Sequence, residues 1–221
     1  MKIILDKCNS QNIMAAKLWI SDGSRADPID KKGIHQIVSS TMSRGCGPYN
    51  NDELAEIVES AGSILNCDTY EDGLLISLKC IGSDAYELLQ LIGWMITKPL
   101  LETDQIELEK DLTIKALKRQ KENPYQQAFD GWRKIIFKNG PYSHDPLGSI
   151  DNLKKLTKKD ILEISNSLIH RNKTIVISGT FPIDITDFIK ESAAFRGLTE
   201  TIPLQNKYKK ERINEEYVNK K

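Results

Sequence analysis

The residue types that most often do chemistry are few and scattered in this sequence. The only histidines are His35, His144 and His170, and the surrounding patterns predict them on a helix, in a loop and at a helix end. An isolated histidine in such a position is more often a surface or satisfied core residue than a metal ligand. The histidines alone therefore do not predict a metal site.

A cysteine and histidine pair would be the simplest route to nucleophilic catalysis. Cys46 follows a glycine-rich bend, and His35 precedes it by eleven residues. A thiolate and its base must lie within hydrogen-bond reach, whereas eleven residues of helix span about 16 Å. The cysteines also lack C-x-x-C spacing, which predicts reduced, partly buried thiols rather than a zinc knuckle or a disulfide framework. They are Cys8, Cys46, Cys67 and Cys80.

Composition narrows the classes of function. The chain has 221 residues, 39% apolar and 28% charged, which predicts one soluble globular domain. Thirty-one basic residues balance 31 acidic ones, so no nucleic-acid or membrane partner is expected from charge. Asp6 and Lys7 follow only three apolar residues, too short a run for a signal peptide, and no later run reaches membrane-spanning length. We therefore expect a cytoplasmic protein.

The elements that position these residues follow from hydrophobic periodicity. Ile34, Ile37, Val38, Thr41 and Met42 have the spacing of one buried helix face, which predicts a helix over residues 32–45. The segments 63–70 and 73–80 predict a hairpin across the turn "EDG". Further strands are predicted over 12–21 and 173–179, and further helices over 50–62, 84–99, 103–123, 125–138, 157–171 and 183–194.

This order of elements predicts an α+β fold, with a mixed, mainly antiparallel sheet packed against one layer of helices. We assign residues 1–200 to this domain. Residues 201–221, "TIPLQNKYKKERINEEYVNKK", are charged and almost without apolar side chains beyond their start. They predict a charged tail, or a linker to a second domain.

Several motifs, in this order, resemble the N-terminal domain of the pitrilysin and insulinase-type zinc peptidases, the family of the mitochondrial processing peptidase. They are "GSRADPIDKKGIHQIVSSTMSRG", "LAEIVESAGSILNCDTYEDGLLISLKC", "LEKDLTIKALKRQKENP" and "PYSHDPLGS". The resemblance covers roughly residues 1–190. Each motif is common alone, and their succession is specific. The resemblance implies the processing-peptidase metallohydrolase fold.

The resemblance also identifies where this sequence departs from the family. The family helix carries H-x-x-E-H, in which two histidines bind zinc and the glutamate activates water. Gln36, Ser39 and Ser40 occupy those three positions here, and Ala116 occupies that of the third ligand, a glutamate. Moving the register so that His35 is the first ligand fails too, because Val38 and Ser39 then replace the base and second ligand. Glu109 matches an acidic position that the family usually keeps. No zinc or other cofactor is expected, and Gln36, Ser39 and Ser40 are interpreted as the polar side of an amphipathic helix.

In relatives, an extended peptide adds to the edge of the sheet at a strand that corresponds to Leu65, Asn66, Cys67, Asp68 and Thr69. Such binding needs free backbone groups rather than particular side chains. These residues are therefore a candidate binding site for peptide without cleavage. The alternative is an internal hairpin strand with a covered edge, in which Cys67 is a small buried residue.

The resemblance implies a pseudoenzyme. We expect an inactive peptidase homologue, a non-catalytic subunit or domain that forms part of a substrate chamber. Its expected partner is an active H-x-x-E-H zinc peptidase in a heterodimer, or a second copy in a homodimer, and the expected substrate is unfolded peptide. Two alternatives stay open: a purely structural scaffold subunit without peptidase activity, and an enzyme whose chemistry has moved to another metal or a reactive cysteine.

Overall fold

The computed structural model describes residues 1–8, 11–138 and 140–198. Five strands form one mixed sheet in the order β1-β5-β2-β4-β3. Only β1 and β5 pair in parallel, and the other neighbours pair antiparallel. The strands are β1 (Lys2–Lys7), β2 (Ile13–Ile20), β3 (Ile64–Thr69), β4 (Leu74–Ile81) and β5 (Lys173–Gly179).

The α-helices follow the predicted order, with one short addition before α7. They are α1 (Ile34–Met42), α2 (Asn51–Ser60), α3 (Ala85–Thr97), α4 (Thr103–Gln120), α5 (Pro124–Phe137), α6 (Ile150–Lys155), α7 (Lys158–Leu168) and α8 (Ile185–Glu191). The start of α2 illustrates how sequence fixes a boundary. The Asn50 side chain accepts hydrogen bonds from the first turn, and the Glu53 side chain accepts one from the Asn50 N–H.

One face of the sheet carries the core. Alternate residues of β2 and β4 are fully buried, including Leu18 and Ile76, whereas Lys17 and Lys79 on the opposite face are exposed. Helix α7 contacts both α1 and α3, and α1 and α3 contact the sheet, so these helices form the layer over the buried face. The α+β fold with one mixed sheet and a helical layer is confirmed.

Two differences from the sequence prediction concern local structure. Strand β1 was not predicted, because among its six residues only Ile3 is partly buried and the strand shows little apolar alternation. The first helix is shorter than the predicted 32–45, since it begins after Gly33 and ends at Met42. Gly33 has φ +93°, and a Cβ there would lie 2.6 Å from the carbonyl oxygen of Leu147. This close contact sets where α1 starts.

Among residues 1–8, 11–138 and 140–198, no helix is both long and apolar enough to cross a membrane. The predicted tail or linker, residues 201–221, lies outside the described residues.

Candidate functional site

The candidate site is built on α1, whose buried stripe is confirmed: Ile34, Ile37, Val38, Thr41 and Met42 are all buried. Gln36 and Ser40 are half-buried at the side of this stripe, and Ser39 has no exposed surface. Oγ of Ser40 donates to the carbonyl oxygen of Gln36 at 2.9 Å. This bond directs the hydroxyl back to its own helix, a common arrangement for a serine inside a helix.

Ser39 connects α1 to the end of β3. Its Oγ lies 2.6 Å from Oγ1 of Thr69, and one of these hydroxyls donates to the other. Oγ1 of Thr69 is also 3.2 Å from the carbonyl oxygen of His35. The position that the resemblance assigns to the catalytic base is therefore buried and bonded to the neighbouring strand.

Helix α4 packs against α1 and carries the other two positions of interest. Ala116 is half-buried on α4. Glu109 is buried, and its Oε1 accepts from Nε of Arg44 at 2.7 Å and lies 2.6 Å from Nη2 of Arg44. The carboxylate of Glu109, which matches the acidic position kept by the family, thus forms an ion pair with Arg44, just after the end of α1.

A buried cluster of charged residues lies at the start of α1, and sequence reasoning missed it. Nδ1 of His35 is 2.6 Å from Oδ1 of Asp27, within hydrogen-bond distance. Nε2 of His35 is 3.7 Å from Oδ1 of Asp22, which is the spacing of an ion pair rather than a hydrogen bond. Oδ2 of Asp22 accepts from Nε of Arg171 at 2.6 Å. Asp27 also accepts the N–H of Gly33 at 2.6 Å, which places a carboxylate at the N-terminus of α1.

These contacts decide the charge of His35. Burial alone lowers the pKa of the imidazole, but the carboxylates of Asp22 and Asp27 outweigh it and raise the pKa from 6.5 to about 9. At Asp22, His35 and Arg171 outweigh burial and hold the pKa of the carboxyl group below the ordinary 3.8. At Asp27, His144 and His35 do the same. We conclude that His35 is an imidazolium at neutral pH between two carboxylates.

The sequence contained one signal of this cluster. Asp22 and Asp27 bracket the turn "DGSRAD" and come before a helix whose second residue is His35, next to the apolar Ile34. The contribution of Arg171 has no such signal, because it lies 149 residues from Asp22. The other predicted histidine positions stay apart from the cluster or at its margin. His170 is exposed, and Nε2 of His144 lies 3.7 Å from Oδ2 of Asp27 and 2.9 Å from the carbonyl oxygen of Ser24.

The thiols show no sign of activation. All four cysteines are free, as predicted, and only Cys8 is exposed. Burial raises the pKa of Cys46 to about 12 and that of Cys80 to about 11. Burial also raises the pKa of Cys67, to which the charge of Asp68 contributes. A reactive cysteine needs a depressed pKa, so these three thiols are poor nucleophiles.

The candidate peptide-binding strand is at an edge of the sheet. Its residues Leu65–Thr69 belong to β3, which pairs with β4 on one side and with no other strand that the structure describes on its second side. Leu65, Cys67 and Thr69 are half-buried on the helix side, whereas Asn66 and Asp68 are exposed. The second side of β3 thus has the strand position that addition of an extended peptide requires.

The donor set on α1 and α4 does not fit zinc. At the positions that the resemblance assigns to the family's ligands and base, this chain has a neutral amide, two hydroxyls and a methyl group, whereas zinc sites use cysteine, histidine and carboxylate ligands. Within residues 1–8, 11–138 and 140–198, no group of three or more His, Cys, Asp or Glu side chains could hold a metal ion. No metal-dependent step is derived for this site.

The chain is similar in sequence to subunits of two mitochondrial assemblies. It is 21% identical over 180 residues to the mitochondrial-processing peptidase subunit beta of Saccharomyces cerevisiae, covering 81% of this chain and 39% of that protein. It is 24% identical over 155 residues to cytochrome b-c1 complex subunit 1 of Bos taurus, covering 70% of this chain and 32% of that protein. The chain thus spans less than half the length of these relatives.

Solved structures confirm the fold. A peptidase M16 inactive domain from Pseudomonas fluorescens superposes with a TM-score of 0.78 at 18% identity, covering 90% of this chain and 49% of that one. The sequence profile described as Insulinase (Peptidase family M16) matches residues 2–148, well over half of the chain. From the profile match, supported by the shared fold, we conclude that the chain belongs to the insulinase family of peptidases, family M16.

Proposed function

We propose that this chain is a non-catalytic subunit or domain of a processing-peptidase-like zinc protease, where it forms part of the substrate chamber. The observation that carries the proposal is Ser39. A general base must reach the water that it activates, and a serine hydroxyl has far too high a pKa to serve near pH 7. Here the hydroxyl is also buried and bonded to Thr69. Restoring the carboxylate alone would therefore not restore a solvent-facing base.

The surroundings of α1 support the same proposal. The cluster of His35, Asp22, Asp27 and Arg171 carries two positive and two negative charges in close pairs, so it needs no metal ion for neutrality. Glu109 is likewise paired with Arg44. We infer that the fold retains this helix for packing. Ion pairs lie near both of its ends, those of His35 at its start and that of Arg44 after its end. Zinc is accordingly not expected in this chain.

The proposed partner is an active H-x-x-E-H zinc peptidase of the same family. Two related halves would enclose an unfolded peptide, with the free edge of β3 available to pair with it. The names of the relatives support an assembly, because one is a subunit of a processing peptidase and another a subunit of the cytochrome b-c1 complex. A cytoplasmic location is proposed on the sequence reasoning given above.

A purely structural role is the second candidate, and the similarity to cytochrome b-c1 complex subunit 1 favours it. In that case the chain would hold a complex together without any proteolytic partner. The two candidates differ in one observable: a stable native complex that lacks peptidase activity would support the scaffold.

The deciding experiment is purification of the full-length chain from its own cells, followed by zinc analysis and peptide cleavage assays on the complex and on the isolated chain. We expect a zinc-free, inert chain that cleaves peptide only when an H-x-x-E-H relative accompanies it. Cleavage or stoichiometric zinc in the isolated chain would overturn the proposal.

A further inference from the structure

Helix α5 has its apolar side turned away from the protein. Arg133 is its only buried side chain, although the helix contains four aromatic residues and two isoleucines. Tyr125 is 75% exposed, Ile135 73%, Trp132 49% and Ile136 45%. A helix on the surface of a globular domain ordinarily does the reverse, with polar residues outside and apolar residues in the core.

Exposed apolar residues of α5, together with the half-buried Phe129, form one stripe. They recur at i, i+3, i+4, i+7, i+10 and i+11, the spacing of a single helix face, and we call them the α5 stripe: Tyr125, Ala128, Phe129, Trp132, Ile135 and Ile136. The aromatic rings within it are ordered against each other. Phe129 stacks on Tyr125 at 6.4 Å and on Trp132 at 5.4 Å between ring centroids.

Polar contacts hold α5 in this orientation. Nη2 of Arg133 is 3.5 Å from Oε1 of Glu71, and Nη1 of Arg133 donates to the carbonyl oxygen of His144. Nε2 of Gln126 donates to Oδ2 of Asp145 at 3.2 Å. Because the polar side of α5 is used for these contacts, the apolar stripe has to face outward.

We propose that the α5 stripe is a self-association surface, on which α5 of a second copy of this chain packs antiparallel across a two-fold axis. The exposed area is about 500 Å², near the upper end for the largest apolar patch of a typical monomer. Two such stripes together bury roughly 1,000 Å², the lower limit for a specific interface. The area therefore fits a crossing of two helices, one from each copy.

Three features favour a second copy over a foreign protein. The stripe contains no charged residue that would select a partner by charge, and an apolar stripe is complementary to itself under two-fold symmetry. The formal net charge of the chain is zero, so copies do not repel each other at long range. Gly131 lies beside the stripe with open space where its Cβ would be, which allows a neighbouring helix to approach closely.

The test is sedimentation equilibrium of the full-length chain from submicromolar to tens of micromolar concentration. We expect a monomer–dimer equilibrium that Ile135→Glu weakens by at least about tenfold, because two carboxylates enter the apolar contact. Ile183→Glu is the matched control, since Ile183 is 91% exposed and lies outside α5, and it should leave the equilibrium unchanged. Circular dichroism verifies that both variants are folded.

A cross-linking experiment tests the geometry independently of that variant. In a Cys8→Ser background, which removes the exposed natural thiol, Trp132→Cys should be joined into a dimer by a short bis-maleimide, whereas Ile183→Cys should not. A chain that stays monomeric at all concentrations, or a dimer that Ile135→Glu leaves intact, overturns the inference. Both tests are independent of the proposed function, because they require neither a peptidase partner nor any cleavage.

Discussion

At the scale of single residues, the site combines an amide and two hydroxyls at the positions of the family motif with a buried charge cluster at the start of α1. Gln36, Ser39 and Ser40 retain the spacing of the family motif without its donor atoms. One helical position before Gln36, His35 forms ion pairs with two carboxylates that come from the preceding turn. The residue that anchors α1 is thus adjacent to the position of the first metal ligand.

His35→Gln should destabilise the protein in a pH-dependent way. The folded state binds the proton of His35 with a pKa of about 9, against 6.5 in the unfolded chain. This stabilisation is therefore complete below pH 6.5 and is lost as the pH rises through about 9. At pH 6 we expect the variant to be less stable by about 3 kcal/mol, because two buried carboxylates lose their partner.

Urea unfolding of wild type and variant at several pH values from ~6 to ~9.5 measures this difference in the free energy of unfolding. The range includes the pKa of His35 in both the unfolded and the folded state. Lys173 also titrates in this range, because burial lowers its pKa to about 8, so the difference between wild type and variant is the informative quantity. His170→Gln, at an exposed position, is the control and should show no such trend. A pH-independent difference would mean that folding does not shift the pKa of His35.

Restoring the metal donors tests the assignment of the degenerate positions. We expect Gln36→His, Ser40→His and Ala116→Glu together to bind about one zinc ion per chain, because they recreate two imidazoles and one carboxylate. Elemental analysis after dialysis is the measurement, and the double variant without Ala116→Glu is the control that should retain less zinc. A folded triple variant without zinc would show that these positions do not converge on one point.

At the scale of elements, local periodicity was sufficient for most of the fold. The spacing in α1 correctly identified its buried stripe, and the strand over 173–179 and the hairpin of β3 and β4 are confirmed. What could not be predicted depends on residues far apart in sequence. β1 exists because it pairs with β5, and the His35 cluster needs Arg171. Periodicity also does not reveal which side of α5 meets the protein.

The edge of β3 leads to a prediction about binding without cleavage. An extended peptide that adds to this edge should bind through its main-chain groups. Methylating alternate amide nitrogens should abolish binding in one register and spare it in the other, because only alternate amides face the protein strand. Fluorescence anisotropy with the two methylated peptides and the unmodified one measures this. Equal binding of all three would exclude strand addition.

At the scale of the whole molecule, this chain spans less than half the length of its relatives. It covers 49% of the inactive domain from Pseudomonas fluorescens and 39% of the yeast processing-peptidase subunit. Two surfaces of this unit remain open to other chains, the edge of β3 and the α5 stripe. The first offers backbone hydrogen bonds and the second offers only apolar contact, so they suit different kinds of partner.

The position of β5 in the sheet has a consequence for folding during synthesis. β5 lies between β1 and β2, yet the ribosome makes it more than 150 residues after both. Until Lys173–Gly179 emerges, β1 has no neighbour in the sheet. In the same period β2 can pair with β4 on one edge only, and its other edge is open. Such distant pairing slows folding and leaves strands exposed to aggregation. A nascent chain of this protein should therefore depend on chaperones until β5 is made.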